Sequence, residues 1–199
     1  MPTSSGTSSA EAKAALRGRV LETRTTLDVR ALSDAARRLR DVLLSTSEIE
    51  TATRIAAYVS VGREPGTGPV LEALSARNVD VLLPILLQDG DLDWAPYTGP
   101  AGLVSATRGL LEPVAPALGS GAVTTVDAVL VPGLAVDRRG IRLGRGGGSF
   151  DRALARVAGR VFTCAVLHDG EILDIPIPRE HHDVPVAAAA TPSGLHRFR

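Results

Sequence analysis

Aromatic residues are scarce in this chain: three Phe, two Tyr and one Trp stand among 199 residues. Hydrophobic residues still make up 44% of it, so a core is available, but alanine, valine and leucine must fill it. The one cysteine, Cys164, lies in the apolar run Val161–Leu167, which excludes an intrachain disulfide and points to a small buried thiol. Neither sign of charge dominates. The 22 basic residues offset 22 acidic ones, so the chain as a whole has no electrostatic claim on nucleic acid or on an anionic membrane. No segment approaches the roughly 20 apolar residues needed to cross a bilayer. Residues 1–9 are polar and rich in Ser and Thr, with no charged start followed by an apolar stretch, so a disordered tail and a cytoplasmic protein are expected.

Residues 10–199 suit a single domain. Ala14, Ala15, Leu16, Val20 and Leu21 predict an apolar face on a helix over Ala10–Thr25, with Lys13, Arg17 and Arg24 off that face. A second helix is expected over Ser33–Leu44, capped by Ser33 or Asp34, with Ala36, Leu39, Val42 and Leu43 inward. Arg54–Val61 reads as a buried strand, Gly62–Gly68 as a turn, and Pro69–Arg77 as a short helix. Val79–Leu83, Leu92–Tyr97, Val126–Val131 and Val161–Leu167 are further strand candidates, and Ser149–Ala158 a further helix. Residues 98–125 read as mostly loop. The stretch after 167 reads as irregular, broken by Pro176, Pro178, Pro185 and Pro192. Alternating strands and helices imply a three-layer α/β/α sandwich around a mainly parallel sheet, with the segment 132–148 leaving the C-terminal end of a strand, where such sheets bind ligands.

That segment and the start of the next helix carry the strongest chemical signal. Six glycines (133, 140, 144, 146, 147, 148) share 132–152 with five arginines (138, 139, 142, 145, 152). Glycine lets backbone N–H groups turn toward a ligand, arginine supplies planar donors matched to phosphate oxygens, and a following helix adds its positive end. Six flexible glycines cost on the order of 2–6 kcal/mol of unfolded-state entropy, more than a plain turn would warrant. A nucleoside triphosphate is the expected ligand. The segment fits neither the Walker loop, which needs a lysine here, nor the dinucleotide fingerprint, whose glycine spacing differs from Gly144-x-Gly146-x-Gly148.

The run Val131-Pro-Gly-Leu-Ala-Val-Asp-Arg-Arg-Gly-Ile-Arg-Leu-Gly-Arg-Gly-Gly-Gly-Ser-Phe-Asp-Arg152 closely resembles the signature of the 5-formyltetrahydrofolate cyclo-ligase family, also called 5,10-methenyltetrahydrofolate synthetases. Lys13-Ala-Ala-Leu-Arg17, Glu64-Pro-Gly-Thr67, Glu112-Pro113 and His182-Asp183 are similar to its other landmarks, so the likeness spans roughly 10–191. The resemblance implies an ATP- and Mg²⁺-dependent cyclisation of 5-formyltetrahydrofolate to 5,10-methenyltetrahydrofolate by a cytoplasmic monomer, with no nucleic acid or membrane partner. It implies that Lys13, Arg17, Arg142, Leu143, Gly144, Arg145, Gly146, Gly147, Gly148, Ser149 and Phe150 surround the nucleotide, with Lys13 and Arg145 catalytic. Val59, Glu64, Arg145, Ser149 and Phe150 would hold the folate, and Asp151 and Asp183 the metal. Trp94 or Tyr97 either stacks on the ring or is a core or surface aromatic, and the adjacent His181 and His182 point apart and make no joint metal site.

Three departures from the family's pattern, at four positions, stand out. Gly147 stands where a lysine or similar residue is usual, Ser149-Phe150 replaces a Tyr-Tyr pair, and Val136 replaces a phenylalanine. Two phenol hydroxyls are thereby absent, each worth about three- to ten-fold in affinity or rate. A relative acting on another substrate with the same nucleotide site, or a non-catalytic nucleotide- or folate-binding regulator, are the alternative readings.

Overall fold

The computed structural model describes residues 8–198, so residues 1–7 of the expected tail lie outside the described residues. Ser8 and Ser9 are already part of the fold. Helix α1 (Ser9–Thr25) starts with a capping box in which the Ser8 hydroxyl accepts from Glu11 N–H and the Glu11 carboxylate accepts from Ser8 N–H at 2.9 Å. Helices α2 (Val29–Leu44) and α3 (Ser47–Glu50) follow, then β1 (Arg54–Ala56), α4 (Gly68–Ala76), β2 (Asp80–Leu86) and β3 (Leu92–Pro96). A hairpin of β4 (Leu103–Ser105) and β5 (Leu111–Pro113) precedes β6 (Ala128–Pro132), β7 (Ala135–Asp137) and β8 (Arg142–Leu143). Helix α5 (Ser149–Arg156), β9 (Phe162–Val166), β10 (Ile172–Leu173), β11 (Ala188–Thr191) and β12 (Gly194–Arg197) complete the chain.

Seven strands form the central sheet in the order β12-β11-β9-β6-β1-β2-β3. The five inner strands run parallel, and only the edge strands β3 and β12 are antiparallel to their neighbours. Alternation along each strand sends Ile55, Val81, Leu83, Leu130 and Cys164 to one face, against α2, α3 and α4. It sends Ala56, Leu82, Val129, Val131 and Ala165 to the other face, against Ala153 and Leu154 of α5. Both faces are covered, which is the expected three-layer sandwich. A small second sheet, β10-β7-β8, rises beyond the C-terminal end of β6, and α1 packs on it through Leu16 against Leu134, Ile141, Leu143 and Ile177. No helix among the described residues is long and apolar enough to cross a membrane.

Several local expectations are corrected. In α1, Lys13 and Arg24 face inward and Ala14, Ala15 and Leu21 outward, because carboxylates, and not the central core, meet this helix. Helix α2 starts at Val29, where the Asp28 carboxylate accepts from Ala31 N–H at 2.7 Å, ahead of Ser33 or Asp34. The ladder of β1 ends near Ala57, five residues short of the apolar run's turn, and the chain peels away from the sheet. Residues 98–125 include the β4–β5 hairpin, and the stretch after 167 supplies β10, β11 and β12. The 132–148 segment is a hairpin over β7 and β8, and only 144–148 remains open loop.

Candidate active site

Where β1 leaves the sheet, two side chains fold the backbone into a platform. Thr67 is fully buried; its hydroxyl donates to Tyr58 C=O at 2.7 Å and accepts from Ser60 N–H at 2.9 Å. Ser60 returns the bond by accepting from Thr67 N–H at 3.0 Å. The turn that results aims Glu64 back, so that one carboxylate oxygen accepts from Val61 N–H at 3.0 Å and the other faces across a cleft.

The opposite wall is the glycine loop. Gly146 and Gly148 have φ of +106° and +68°, conformations that side chains disfavour, and the second of them caps α5 with no side-chain bond. The first-turn N–H groups of α5 are therefore left for a ligand, at the helix's positive end. Arg142 is buried; it donates to Pro132 C=O at 3.1 Å and to Asp151 at 2.9 Å, tying the end of β6 to the start of α5, while its Nε has no partner. Arg152 donates to the carbonyls of Gly147 and Gly90 and braces the loop against the β2–β3 turn.

Helix α1 closes the third side. Lys13 donates to Asp183 at 2.7 Å and to Glu180 at 3.2 Å, and Arg17, one turn on, donates to Gly144 C=O at 2.9 Å. Burial works against the Lys13 ammonium, but its bonds to Asp183 and Glu180 outweigh that and hold its pKa above the ordinary value. Burial likewise opposes the Asp183 carboxylate, yet Lys13 and the Glu180 N–H hold its pKa below the ordinary range. Arg24 fixes the far end of α1 through a bidentate pair with Glu171 at 2.7 and 2.8 Å and a bond to Gly133 C=O at 2.8 Å.

Apart from the stacking candidates Trp94 and Tyr97, the site residues expected from the sequence line this one cleft of about 920 Å³: Lys13, Arg17, Val59, Glu64, Arg142–Arg145, Gly146–Gly148, Ser149–Asp151 and Asp183. That volume sits at the top of the range for single-ligand pockets, as two substrates side by side would require. Leu143 is different in kind from its neighbours, because its side chain is in the core against Leu16. Trp94 is fully buried and neither it nor Tyr97 faces the cleft, so no stacking partner comes from β3. Phe150 lies instead at the wall, edge-on to Tyr58 and Trp94 with ring centroids 6.4 Å apart in each case.

Sequence reasoning missed Tyr58, Arg108 and the apolar wall of Pro84, Leu86, Leu110 and Leu111. One signal was available for the lysine: Lys13 is the only lysine in the chain, the other 21 basic residues being arginine. Asp151 and Asp183, the expected metal ligands, both line the cleft and each is held by a cation. Among the described residues no three His, Cys, Asp or Glu side chains come together as a metal cage. The donor set therefore fits an ion that arrives on phosphate oxygens and takes one or two carboxylates from the protein, the usual habit of Mg²⁺.

Comparison with known proteins places the chain in a family. A model of the 5-formyltetrahydrofolate cyclo-ligase family matches residues 9–192. The chain is 40% identical over 189 residues to a 5-formyltetrahydrofolate cyclo-ligase of Mycolicibacterium smegmatis, covering 92% of this chain and 95% of that one. It is 28% identical over 154 residues to the protein of that name from Escherichia coli, covering 76% of this chain and 84% of that one. A solved 5,10-methenyltetrahydrofolate synthetase from Aquifex aeolicus matches with TM-score 0.79 and 27% identity, over 94% of this chain and 93% of its own. The chain belongs to the 5-formyltetrahydrofolate cyclo-ligase family and is an enzyme.

Proposed function

We propose that this enzyme uses ATP to cyclise 5-formyltetrahydrofolate to 5,10-methenyltetrahydrofolate, releasing ADP and phosphate. One observation carries the reading: the cleft has two chemically different halves that meet at the Glu64–Arg145 pair. On one side, Arg17, Arg145 and the open N–H groups from Gly146 to Ser149 suit phosphate oxygens. On the other, Val59 and Phe150 offer apolar surface and Glu64 a carboxylate for the N–H edge of a flat heterocycle.

The formyl oxygen takes the terminal phosphoryl group of ATP, forming an O–P bond as ADP leaves. N10 then attacks the formyl carbon, the C–O bond breaks, and phosphate departs carrying the formyl oxygen while N10 loses its proton. An amide oxygen is a weak nucleophile, so the protein's contribution is positioning and charge neutralisation. Lys13 and Arg145 neutralise charge on the transferring group. Glu64 and Phe150 hold the folate so that its formyl oxygen faces the phosphates. Asp151 and Asp183 are the carboxylates that would hold Mg²⁺, which when bound neutralises phosphate charge. The enclosure of the cleft by α1 keeps water, a competing acceptor, from the phosphoryl group. The working form proposed with this route is a cytoplasmic monomer, each residue named for the site belonging to one chain. The route is tested with substrate labelled with ¹⁸O at the formyl group: the label is expected in inorganic phosphate, and its appearance in water would exclude the phosphorylated intermediate.

A further inference from the structure

The cleft cations are occupied with one exception. Lys13 is paired with Asp183, Arg142 with Asp151 and Arg145 with Glu64, while Arg17 and Arg152 donate to loop carbonyls. Arg108 also lines the cleft, yet its guanidinium makes no ion pair and no hydrogen bond among the described residues. It sits at the tip of the β4–β5 hairpin with φ of +60°, in the left-handed region that favours glycine, and Gly109 follows at +71°. The tip is held by Ala106 N–H donating to Leu110 C=O at 2.8 Å and Leu110 N–H to Thr107 C=O at 3.2 Å. The hairpin is anchored to β2, because Glu112 accepts from Leu86 N–H at 3.0 Å. That bond also engages the hairpin's own carboxylate in the cleft.

Beside Arg108 the cleft lining is largely apolar. Leu110 and Leu111 of the hairpin face the cleft with Pro84 and Leu86 of β2 and Leu92 of β3. A carboxylate at Glu64, an apolar wall, and a free cation at an exposed tip together match an elongated ligand: polar heterocycle, aromatic middle, anionic end. We propose that Arg108 binds the carboxylate tail of the folate, making the β4–β5 hairpin the element that sets preference for the substrate's glutamyl portion. This rests on the reading of the cleft as a folate site. Phosphate oxygens of the nucleotide share the same anionic chemistry, but the cations suited to them sit on α1 and the glycine loop, whereas Arg108 belongs to the β4–β5 hairpin, with Leu110 and Leu111 beside it in the cleft lining.

The test measures KM for ATP and for three 5-formyl substrates at fixed low salt: the monoglutamate, the triglutamate, and the neutral pteroyl methylamide that lacks glutamate. With the glutamyl substrates, Arg108→Ala is expected to raise KM about tenfold, with KM for ATP within about twofold of wild type. Arg108→Lys restores part of the loss, and the pteroyl methylamide gives the same KM with every variant. Because Arg108 is exposed, these variants keep the wild-type melting temperature. An unchanged KM for the glutamyl substrates overturns the proposal, as does a rise in KM for ATP alone, which would assign Arg108 to the nucleotide. Absence of turnover by the wild type with any of the three would instead remove the folate reading on which it rests.

Discussion

Arg145 of the glycine loop and Glu64 of the β1 turn meet across the cleft at 3.0 Å, so the group suited to phosphate neutralises the group suited to the heterocycle. Side-chain exposure separates their fates, since Arg145 is 60% exposed and Glu64 only 10%. A half-exposed pair of this kind contributes about 0–1 kcal/mol to folding. Arg145→Ala should therefore leave the melting temperature within about 3 °C of wild type and lower kcat/KM for ATP about 10- to 100-fold. Thermal melts with steady-state kinetics check both, and wild-type kinetics would remove Arg145 from the site.

Lys13 behaves differently because both it and Asp183 are buried. Replacing Asp183 by Asn leaves the ammonium with Glu180 as its one remaining carboxylate, and a loss of about 2–4 kcal/mol is expected in urea unfolding. Lys13 is also the chain's only lysine, so an amine-selective reagent can reach one side chain besides the N-terminus. Modification there should be slow, should be slowed further by ATP, and should abolish turnover in proportion to labelling at Lys13.

Acid should destabilise the fold through two defined carboxylates. Asp183 and Asp137 are both opposed by burial, yet their cation and N–H partners hold each pKa below the ordinary value of 3.8. A depressed native pKa means that the unfolded chain binds more protons, so this stability is full above about pH 4 and is lost as pH falls below it. Lys13 has the opposite sign: its raised pKa contributes below its ordinary 10.5 and is lost as pH rises through the higher native value. Melting temperatures between pH 2.5 and 7 should show the acid fall, and Asp137→Asn should make it shallower at the cost of a lower plateau.

The single thiol offers a probe of folding. Burial pushes the Cys164 thiol up to about 12, so almost no thiolate exists at neutral pH. A disulfide reagent should not react with the native protein and should titrate one thiol once the chain is unfolded in urea.

The sequence revealed the parts of this site that depend on local backbone chemistry. Gly146 and Gly148 announce a loop that turns its N–H groups outward, and the unbroken apolar runs Ile55–Ala57 and Ala128–Val131 announce strands buried on both faces. The orientation of α1 was not legible, because Lys13 and Arg24 turn inward only where Asp183 and Glu171 wait, carboxylates 170 and 147 positions away in sequence. Strand β11 was hidden for another reason: Ala188–Ala190 has weak strand propensity and forms a strand because β9 and β12 flank it. Arg108 gave no sign at all, since its significance lies in which wall of the cleft the hairpin joins.

The account's central claim is tested most directly by incubating the purified protein with MgATP and 5-formyltetrahydrofolate and following the methenyl chromophore together with ADP. One ADP per 5,10-methenyltetrahydrofolate, with neither formed when ATP or the folate is left out, is the predicted result. Binding of ATP without any methenyl product or ADP would contradict it.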